Sequence, residues 1–130
     1  MMPMDISEIL EKIDIWDAEN VFHLKSDPSR LKKIIAHYEL FKKIQNVEGD
    51  FLEFGVFKGA SFLRFATFSE IFGNQNRQFF GFDSFKGLKD EWMTEEFNPP
   101  GTFDLKGKKP RVEENVRLID GWVEETAKDF

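Results

Sequence analysis

The chain has 130 residues, of which 41% are apolar, and its 18 basic and 24 acidic residues give a net charge of −6. That length suits about one small domain. The acidic balance argues against a nucleic-acid backbone as main partner, since such a partner favours a basic face. The absence of cysteine excludes disulfides, thiolate metal sites and cysteine nucleophiles. Because no apolar run reaches membrane-spanning length and no signal-peptide pattern opens the chain, we predict a cytoplasmic protein.

The first 46 residues predict a helical segment. Apolar residues at helical spacing predict one short helix within residues 1–20, and residues 21–26 are interpreted as a link. Asp27 and Pro28 are typical of a helix start, with Asp as the cap and Pro in the first turn. The helix that follows is amphipathic and is expected to stop at Gly49. Its apolar stripe consists of Leu31, Ile34, Ile35, Tyr38, Phe41 and Ile44.

The stretch from Gly49 to Asp83 predicts a strand, a helix and a second strand. An apolar run covers residues 51–57, a glycine turn follows, and an apolar segment of helical length covers residues 60–72. A polar break then leads to a second apolar run, residues 79–82, which ends on Asp83. This order is typical of a βαβ unit with parallel strands.

The polar residues of this unit favour a nucleoside ligand. Ligands of open parallel sheets bind beyond the carboxyl ends of the strands, where Gly55 and Gly59 let the backbone approach them closely. Asp83 can accept hydrogen bonds from ribose hydroxyls. The glycine spacing differs from the dinucleotide fingerprint. Glu53 repels phosphate there and suits a cationic ligand end, such as an α-amino group or a sulfonium.

Residues 86–111 predict a long charged loop, which we interpret as a lid or binding loop, or else as a partly disordered excursion. Residues 112–115 are interpreted as the start of a short helix, and residues 116–119 as a third parallel strand. Asp120, Gly121 and Trp122 form its exit, and Glu124 begins a last helix that runs to the end of the chain. The two histidines, His23 and His37, are expected to be structural or exposed.

Three segments resemble the class I S-adenosylmethionine (SAM) dependent methyltransferases, and most of all the macrocin O-methyltransferase (TylF-like) family. Residues 49–61 resemble its first motif and read GDFLEFGVFKGAS. Residues 81–88, GFDSFKGL, resemble the second, in which Leu is usually followed by Pro, whereas this chain has Lys89. Residues 121–126, GWVEET, resemble the third. The resemblance covers about residues 47–130.

The resemblance implies a Rossmann-like parallel sheet made of strands 1–3 of the class I methyltransferase fold, preceded by N-terminal helices. It divides the chain into a helical segment, 1–46, and a partial SAM-binding domain, 47–130. The implied activity is SAM-dependent O-methyl transfer to a hydroxyl of a sugar-like or small-molecule acceptor. The alternative is a non-catalytic fragment or assembly module that retains the fold.

The resemblance also implies which residues bind the cofactor. Glu53 and Gly55 would face the methionine end of SAM, Asp83 the ribose, and Gly121 with Trp122 the adenine. The whole predicted set is Glu53, Gly55, Val56, Phe57, Gly59, Ser61, Asp83, Ser84, Asp120, Gly121 and Trp122.

Three of these residues have an alternative structural interpretation. Ser61 either caps the helix or contacts the carboxylate of the ligand. Asp120 either bonds the adenine amino group or shapes the turn, and Trp122 either lies near the adenine or packs in the core.

No catalytic residue is predicted, because in the family the later strands carry both the base and the acidic ligands of a divalent metal such as Mg²⁺. No metal ligands are expected in this chain. The resemblance implies a truncated sheet in which the first strand has an unpaired edge. We therefore expect either a truncated product or gene fragment, or a homo-oligomer formed through that edge and the N-terminal helices.

Overall fold

The computed structural model describes residues 5–73, 76–94, 96–101, 103–105, 107, 109 and 114–130. The chain divides into two compact units, Met1–Val47 and Glu48–Phe130. The first unit is helical, with α1 at Ile6–Lys12, α2 at Ile15–Lys25 and α3 at Pro28–Ile44. No helix in the described part of the chain is both long and apolar enough to cross a membrane.

Each helix of the first unit begins at an aspartate cap. The carboxylates of Asp5, Asp14 and Asp27 accept hydrogen bonds of 2.7–2.8 Å from backbone N–H groups two residues further on. Such bonds satisfy N–H groups that the helix itself leaves unpaired. The cap at Asp27, with Pro28 following it, confirms the predicted start of α3.

Three predictions for this unit were wrong. Residues 1–20 do not form one helix, because the chain is extended at Ile13 and the cap at Asp14 starts α2. Residues 21–25 are not a link but the second half of α2, which ends at Lys25. Helix α3 ends at Ile44, before Gly49, so the glycine is not its stop.

The second unit contains three parallel strands and one long helix. The strands are β1 at Phe51–Phe54, β2 at Phe79–Asp83 and β5 at Val116–Asp120, in the sheet order β1-β2-β5. Helix α4, Ala60–Phe72, connects β1 to β2 over the predicted residues. The predicted α/β fold with a parallel sheet is confirmed. Strand β1 is shorter than its apolar run of residues 51–57, because the chain turns at Gly55, where φ is 88°.

One face of the sheet packs on α4 through phenylalanine rings. Register places Phe51, Phe79 and Val116 side by side, with Phe79 and Val116 buried. The Phe51 ring lies 4.8–6.4 Å from the rings of Phe62, Phe65 and Phe79. This cluster is the core of the unit. The other side of α4 is less covered, and Ile71 is 64% exposed there.

Gly81 in the middle of β2 is required by this packing. A Cβ atom at Gly81 would meet Val56 Cγ2 at 2.7 Å and Phe62 Cε1 at 2.9 Å, which is closer than real contacts allow. The glycine therefore lets α4 and the turn after β1 lie directly on the sheet.

The opposite face of the sheet is covered less completely. Phe54 stacks on Phe82 at 4.8 Å, and the terminal Phe130 packs edge-on against Phe80 and Phe82. The prediction of a last helix running to Phe130 was wrong. Helix α5 covers only Val123–Thr126, and the chain then turns so that Phe130 reaches β2.

The segment between β2 and β5 contains a small hairpin. Strands β3, Trp92–Met93, and β4, Phe97–Asn98, are antiparallel, and an isolated bridge joins Lys86 to Asp104. The segment therefore has secondary structure of its own, where the sequence predicted a loop. Of the short helix predicted at 112–115, residues 112–113 lie outside the described residues, and residues 114–115 form a turn.

Candidate functional site

The turn after β1 has an unusual backbone. Gly55, Phe57 and Gly59 all have positive φ, at 88°, 54° and 92°. This conformation is easy for glycine and strained for phenylalanine, and strained residues of this kind cluster at functional sites. The turn brings the chain from the carboxyl end of β1 directly into α4, at the end of the sheet where ligands of such folds bind.

Asp83, at the end of β2, holds this turn in place. Its Oδ2 atom accepts hydrogen bonds from the backbone N–H groups of Val56 at 2.8 Å and Phe57 at 2.7 Å. Its Oδ1 atom accepts a third, at 2.9 Å, from the N–H of Phe85. A carboxylate offers about four acceptor positions, so Asp83 keeps capacity for one further donor. Asp83 therefore joins the turn after β1 to the turn after β2.

Glu53 and Ser61 come together beneath the same turn. The Ser61 hydroxyl donates to Glu53 Oε1 at 2.9 Å, and the second carboxylate oxygen, Oε2, is buried. Gly59 is the N-cap residue of α4, and no side chain among the described residues caps the helix. The alternative that Ser61 caps α4 is therefore wrong. Its hydroxyl orients Glu53 instead, so the carboxylate is directed toward the first turn of the helix.

The third turn follows β5 and is built on Gly121. Its N–H donates to the backbone carbonyl of Asp83 at 3.0 Å, which continues the parallel pairing of β5 with β2. At Gly121 φ is 142°, and a Cβ atom would meet Thr126 Cγ2 at 2.7 Å. The Thr126 hydroxyl bonds to the carbonyl of Trp122 at 3.3 Å. The glycine and the threonine of the third motif thus have a structural reason: they close the turn that carries Trp122.

The remaining predicted residues lie at the same end of the sheet. Ser84 is buried, and its Oγ accepts a hydrogen bond from the N–H of Lys86. Asp120 forms an ion pair of 3.0 Å with Lys109. Trp122 is half-buried, and the ammonium of Lys89 lies 5.5 Å from its ring centroid. The structure therefore brings the three predicted motifs together at the carboxyl ends of β1, β2 and β5.

The residues present fit a nucleoside cofactor with a cationic end. A Cβ atom at Gly55 would meet nothing within 4 Å, so the space over this turn is open. The first turn of α4 and the carboxylate of Glu53 border the same turn. Trp122 offers an aromatic surface at the third strand end. No cluster of three or more acidic or histidine side chains that could hold a metal occurs among the described residues.

Sequence reasoning missed two features of this site. It predicted Asp83 as a ligand contact and did not predict its bonds to Val56 and Phe57, which are 27 and 26 residues away. It noted Lys89 only as a departure from the family motif and missed its contact with Trp122. The bond from the N–H of Phe85 to Asp83 could have been predicted locally, because an Asp side chain often accepts a hydrogen bond from the N–H two residues further on.

A separate groove lies at the other end of the sheet. It has a volume of about 910 Å³ and is bordered by Gln78 and Asn115, which directly precede β2 and β5. Thr67 and Glu70 of α4 form another wall. None of the predicted cofactor contacts lines it. Because ligands of parallel sheets bind at the carboxyl ends, we place the candidate site at the three turns.

Together these elements define a Rossmann-like α/β protein with a candidate ligand site at the carboxyl ends of its strands. A family model described as macrocin-O-methyltransferase (TylF) matches residues 27–129. The chain belongs to this family. No curated protein sequence matches the chain significantly.

Two solved structures of CalS11 resemble the chain in fold. One, described as a calicheamicin methyltransferase, has a TM-score of 0.65 and 20% identity, and the match covers 95% of this chain and 58% of that one. The other is the apo structure of CalS11, described as a TDP-rhamnose 3'-O-methyltransferase of calicheamicin biosynthesis. Its TM-score is 0.60 at 22% identity, with coverage of 95% of this chain and 56% of that one. The chain thus spans less than two thirds of the length of these proteins.

Proposed function

We propose that this chain carries the cofactor-binding part of a SAM-dependent O-methyltransferase that acts on a hydroxyl of a sugar-like or small-molecule acceptor. The observation that carries the proposal is the turn of residues 55–59, which Asp83 holds at the carboxyl end of β1 beneath open space. Family membership and the likeness to CalS11 support the methyl-transfer class. The description of CalS11 as a TDP-rhamnose 3'-O-methyltransferase supports a sugar-like acceptor.

The residues of the three turns would hold the cofactor as follows. Glu53 would attract the α-amino or sulfonium group, since a carboxylate favours a nearby cation. Gly55 leaves room for the methionine part, the remaining acceptor position of Asp83 suits a ribose hydroxyl, and Gly121 with Trp122 would border the adenine. When bound, SAM would supply a methyl group to the hydroxyl oxygen of the acceptor, with S-adenosylhomocysteine as the leaving group and loss of the hydroxyl proton. Holding the two reactants in line supplies much of the rate of such a transfer.

The direct test is calorimetric titration of the chain with S-adenosylhomocysteine. We expect saturable binding that Gly55→Ala weakens by about 1–3 kcal/mol, the scale of overpacking, because the new methyl group enters the space over the turn. Gly73→Ala is the matched control, since Gly73 has φ of 85° and also has open space around it, but lies at the far end of α4.

The two variants share the same backbone strain, so only the position of the methyl group differs between them. Equal affinity of both variants would contradict the proposed site, and no binding by the unmodified chain would contradict the proposed function. Asp83→Ala is less informative, because it would also release Val56 and Phe57.

We also propose that a second copy of the chain covers the edge of β1. Among the described strands β1 pairs with β2 alone, and Leu52 and Phe54 are 39% and 57% exposed beside this edge. An apolar edge of this kind favours pairing with another chain. In the first unit, Leu31 and Ile35 are also exposed, which supports a contribution of the helices to self-association.

Sedimentation velocity at micromolar concentration tests this proposal. We expect the unmodified chain to sediment as a dimer and Phe54→Lys to sediment as a monomer, because a buried charge opposes edge pairing. Ile71→Lys is the control, since Ile71 is 64% exposed on α4. A strictly monomeric unmodified chain would exclude the proposed contact.

A further inference from the structure

The segment between β2 and β5 is anchored around Phe85. The carbonyl of Phe85 accepts hydrogen bonds from the N–H groups of Leu105, at 3.1 Å, and Gly107, at 2.9 Å. The N–H of Gly101 donates to the carbonyl of Leu88 at 2.7 Å. Phe85 and Leu105 are buried. Phe85 and Leu88 are therefore held to Gly101, Leu105 and Gly107 beside the end of β2.

The same segment contacts the other two turns of the candidate site. The Phe103 ring lies edge-on to the ring of Phe57 at 5.7 Å, which places it against the turn after β1. Lys109 pairs with Asp120, the last residue of β5. The contact with Phe57 lies at β1 and the contact with Asp120 lies at β5, which are the two outer strands of the parallel sheet.

Lys89 makes the contact that bears on the ligand. Its ammonium donates to the carboxylate of Glu124 in the first turn of α5 and at the same time lies 5.5 Å from the ring centroid of Trp122. A cation at this distance is attracted by the face of an indole ring. Glu124 therefore holds Lys89, and the ammonium of Lys89 lies over one face of the Trp122 ring.

Lys89 also distinguishes this chain from the motif that it resembles. That motif usually has proline at this position, and proline has neither a cation nor an N–H group. A proline could neither donate to Glu124 nor present a cation to the indole, so this cation–ring contact is a property of this sequence.

We propose that Lys89 is a positioning residue of the cofactor site, which fixes the plane of the Trp122 indole against which the adenine would stack. This inference rests on the proposed function. Lys89 itself is not expected to touch the ligand. Its effect is transmitted through Trp122, and Glu124 contributes by keeping the ammonium over the ring.

The test compares three variants in titrations with S-adenosylhomocysteine and with adenosine. Lys89→Met keeps the length of the side chain and removes its charge, and we expect it to weaken binding of both ligands by roughly three- to tenfold, the scale of an exposed ion pair and an exposed cation–ring contact. Lys89→Arg keeps the cation and is expected to bind within about twofold of the unmodified chain. Lys86→Met removes another exposed lysine of the same segment and is the control.

A second readout needs no ligand. In a background of Trp16→Phe and Trp92→Phe, Trp122 is the single indole of the chain. Acrylamide quenching of its fluorescence should rise in Lys89→Met and return to the original level in Lys89→Arg. A general loss of stability would instead lower the unfolding midpoint markedly, whereas loss of one exposed ion pair should lower it only slightly.

The outcomes separate the two proposals. Unchanged affinity and unchanged quenching in Lys89→Met would overturn the positioning role while leaving the proposed function intact. Weaker binding of S-adenosylhomocysteine alone, with adenosine unaffected, would also overturn it, because Trp122 can act only on the adenine part. Absence of binding by the unmodified chain would reject the proposed function, and the quenching data alone would then show whether Lys89 orders Trp122.

Discussion

The two units of the chain use the same residue type in opposite ways. In the first unit, the carboxylates of Asp5, Asp14 and Asp27 bind N–H groups two residues away, and each one starts a helix. In the second unit, Asp83 binds N–H groups 26 and 27 residues away and joins two turns. The two units also differ in burial. Helices α1 and α2 of the first unit have no buried residue, whereas Phe62 and Phe79 of the second unit are fully buried.

This difference shows which forces hold each unit. The helices of the first unit follow from local capping and spacing, and their apolar residues include Ile15 and Leu24, which are 82% and 83% exposed. Isolated helices of 7 and 11 residues are marginal in water without packing. The second unit has an aromatic core and long-range backbone bonds, so its turns are positioned by tertiary structure.

The largest expected effect comes from the core of the second unit. Phe62→Ala removes a side chain with no exposure and should lower the free energy of unfolding by about 3–5 kcal/mol. Leu24→Ala is the matched control in the first unit, where we expect a change within about 0.5 kcal/mol. Urea unfolding followed by circular dichroism measures both. Similar losses for the two variants would contradict the contrast between the units.

An intermediate effect is expected from a helix cap. Asp14→Ala removes the acceptor of the Trp16 N–H and should destabilise α2 by about 1 kcal/mol. Asp14→Asn should restore most of that loss, because asparagine caps about as well as aspartate. Hydrogen exchange of the α2 amides is the measurement. A loss that spreads to the amides of β2 would mean that the first unit supports the second more than local capping predicts.

The smallest effect concerns the pH dependence of the contact between Lys89 and Glu124. The hydrogen bond with Glu124 raises the pKa of Lys89. The stability that charged Lys89 contributes is therefore complete below the usual pKa of lysine and is lost as the pH rises through the raised pKa. The hydrogen bond from Lys89 lowers the pKa of Glu124. The stability that charged Glu124 contributes is therefore complete above the usual pKa of glutamate and is lost as the pH falls through the lowered pKa.

The pair is therefore complete between about pH 5 and pH 10. Asp90 and Glu125 also attract Lys89, and Lys128 attracts Glu124, so these neighbours reinforce both shifts. We expect the exchange protection of residues 86–89 to be constant near neutral pH and to fall in acid. Glu124→Gln should remove the acid step. A step between about pH 6 and pH 8, where neither group titrates, would contradict this assignment.

Several elements could be predicted from the sequence because their signals are local. Helix α4 covers the predicted residues 60–72, β2 ends at the predicted Asp83, and Asp27 caps α3 as predicted. Apolar spacing, glycine turns and capping residues act over a few positions, so they can be recognised without knowledge of the fold. The cap at Asp14 is also a local signal, but the apolar residues before it follow helical spacing, and that spacing predicted one helix extending past it.

By itself the sequence determined the order β1-α4-β2-β5, the α/β class and the three motifs that lie at the carboxyl ends of these strands. Only the tertiary structure decided what the polar side chains of those motifs bind. Asp83 supports the turn of Val56 and Phe57, Ser61 orients Glu53 instead of capping α4, and Lys89 lies over Trp122. The physical reason is that hydrogen bonds and ring contacts depend on distances across the sheet, and those distances exist only after the strands have paired.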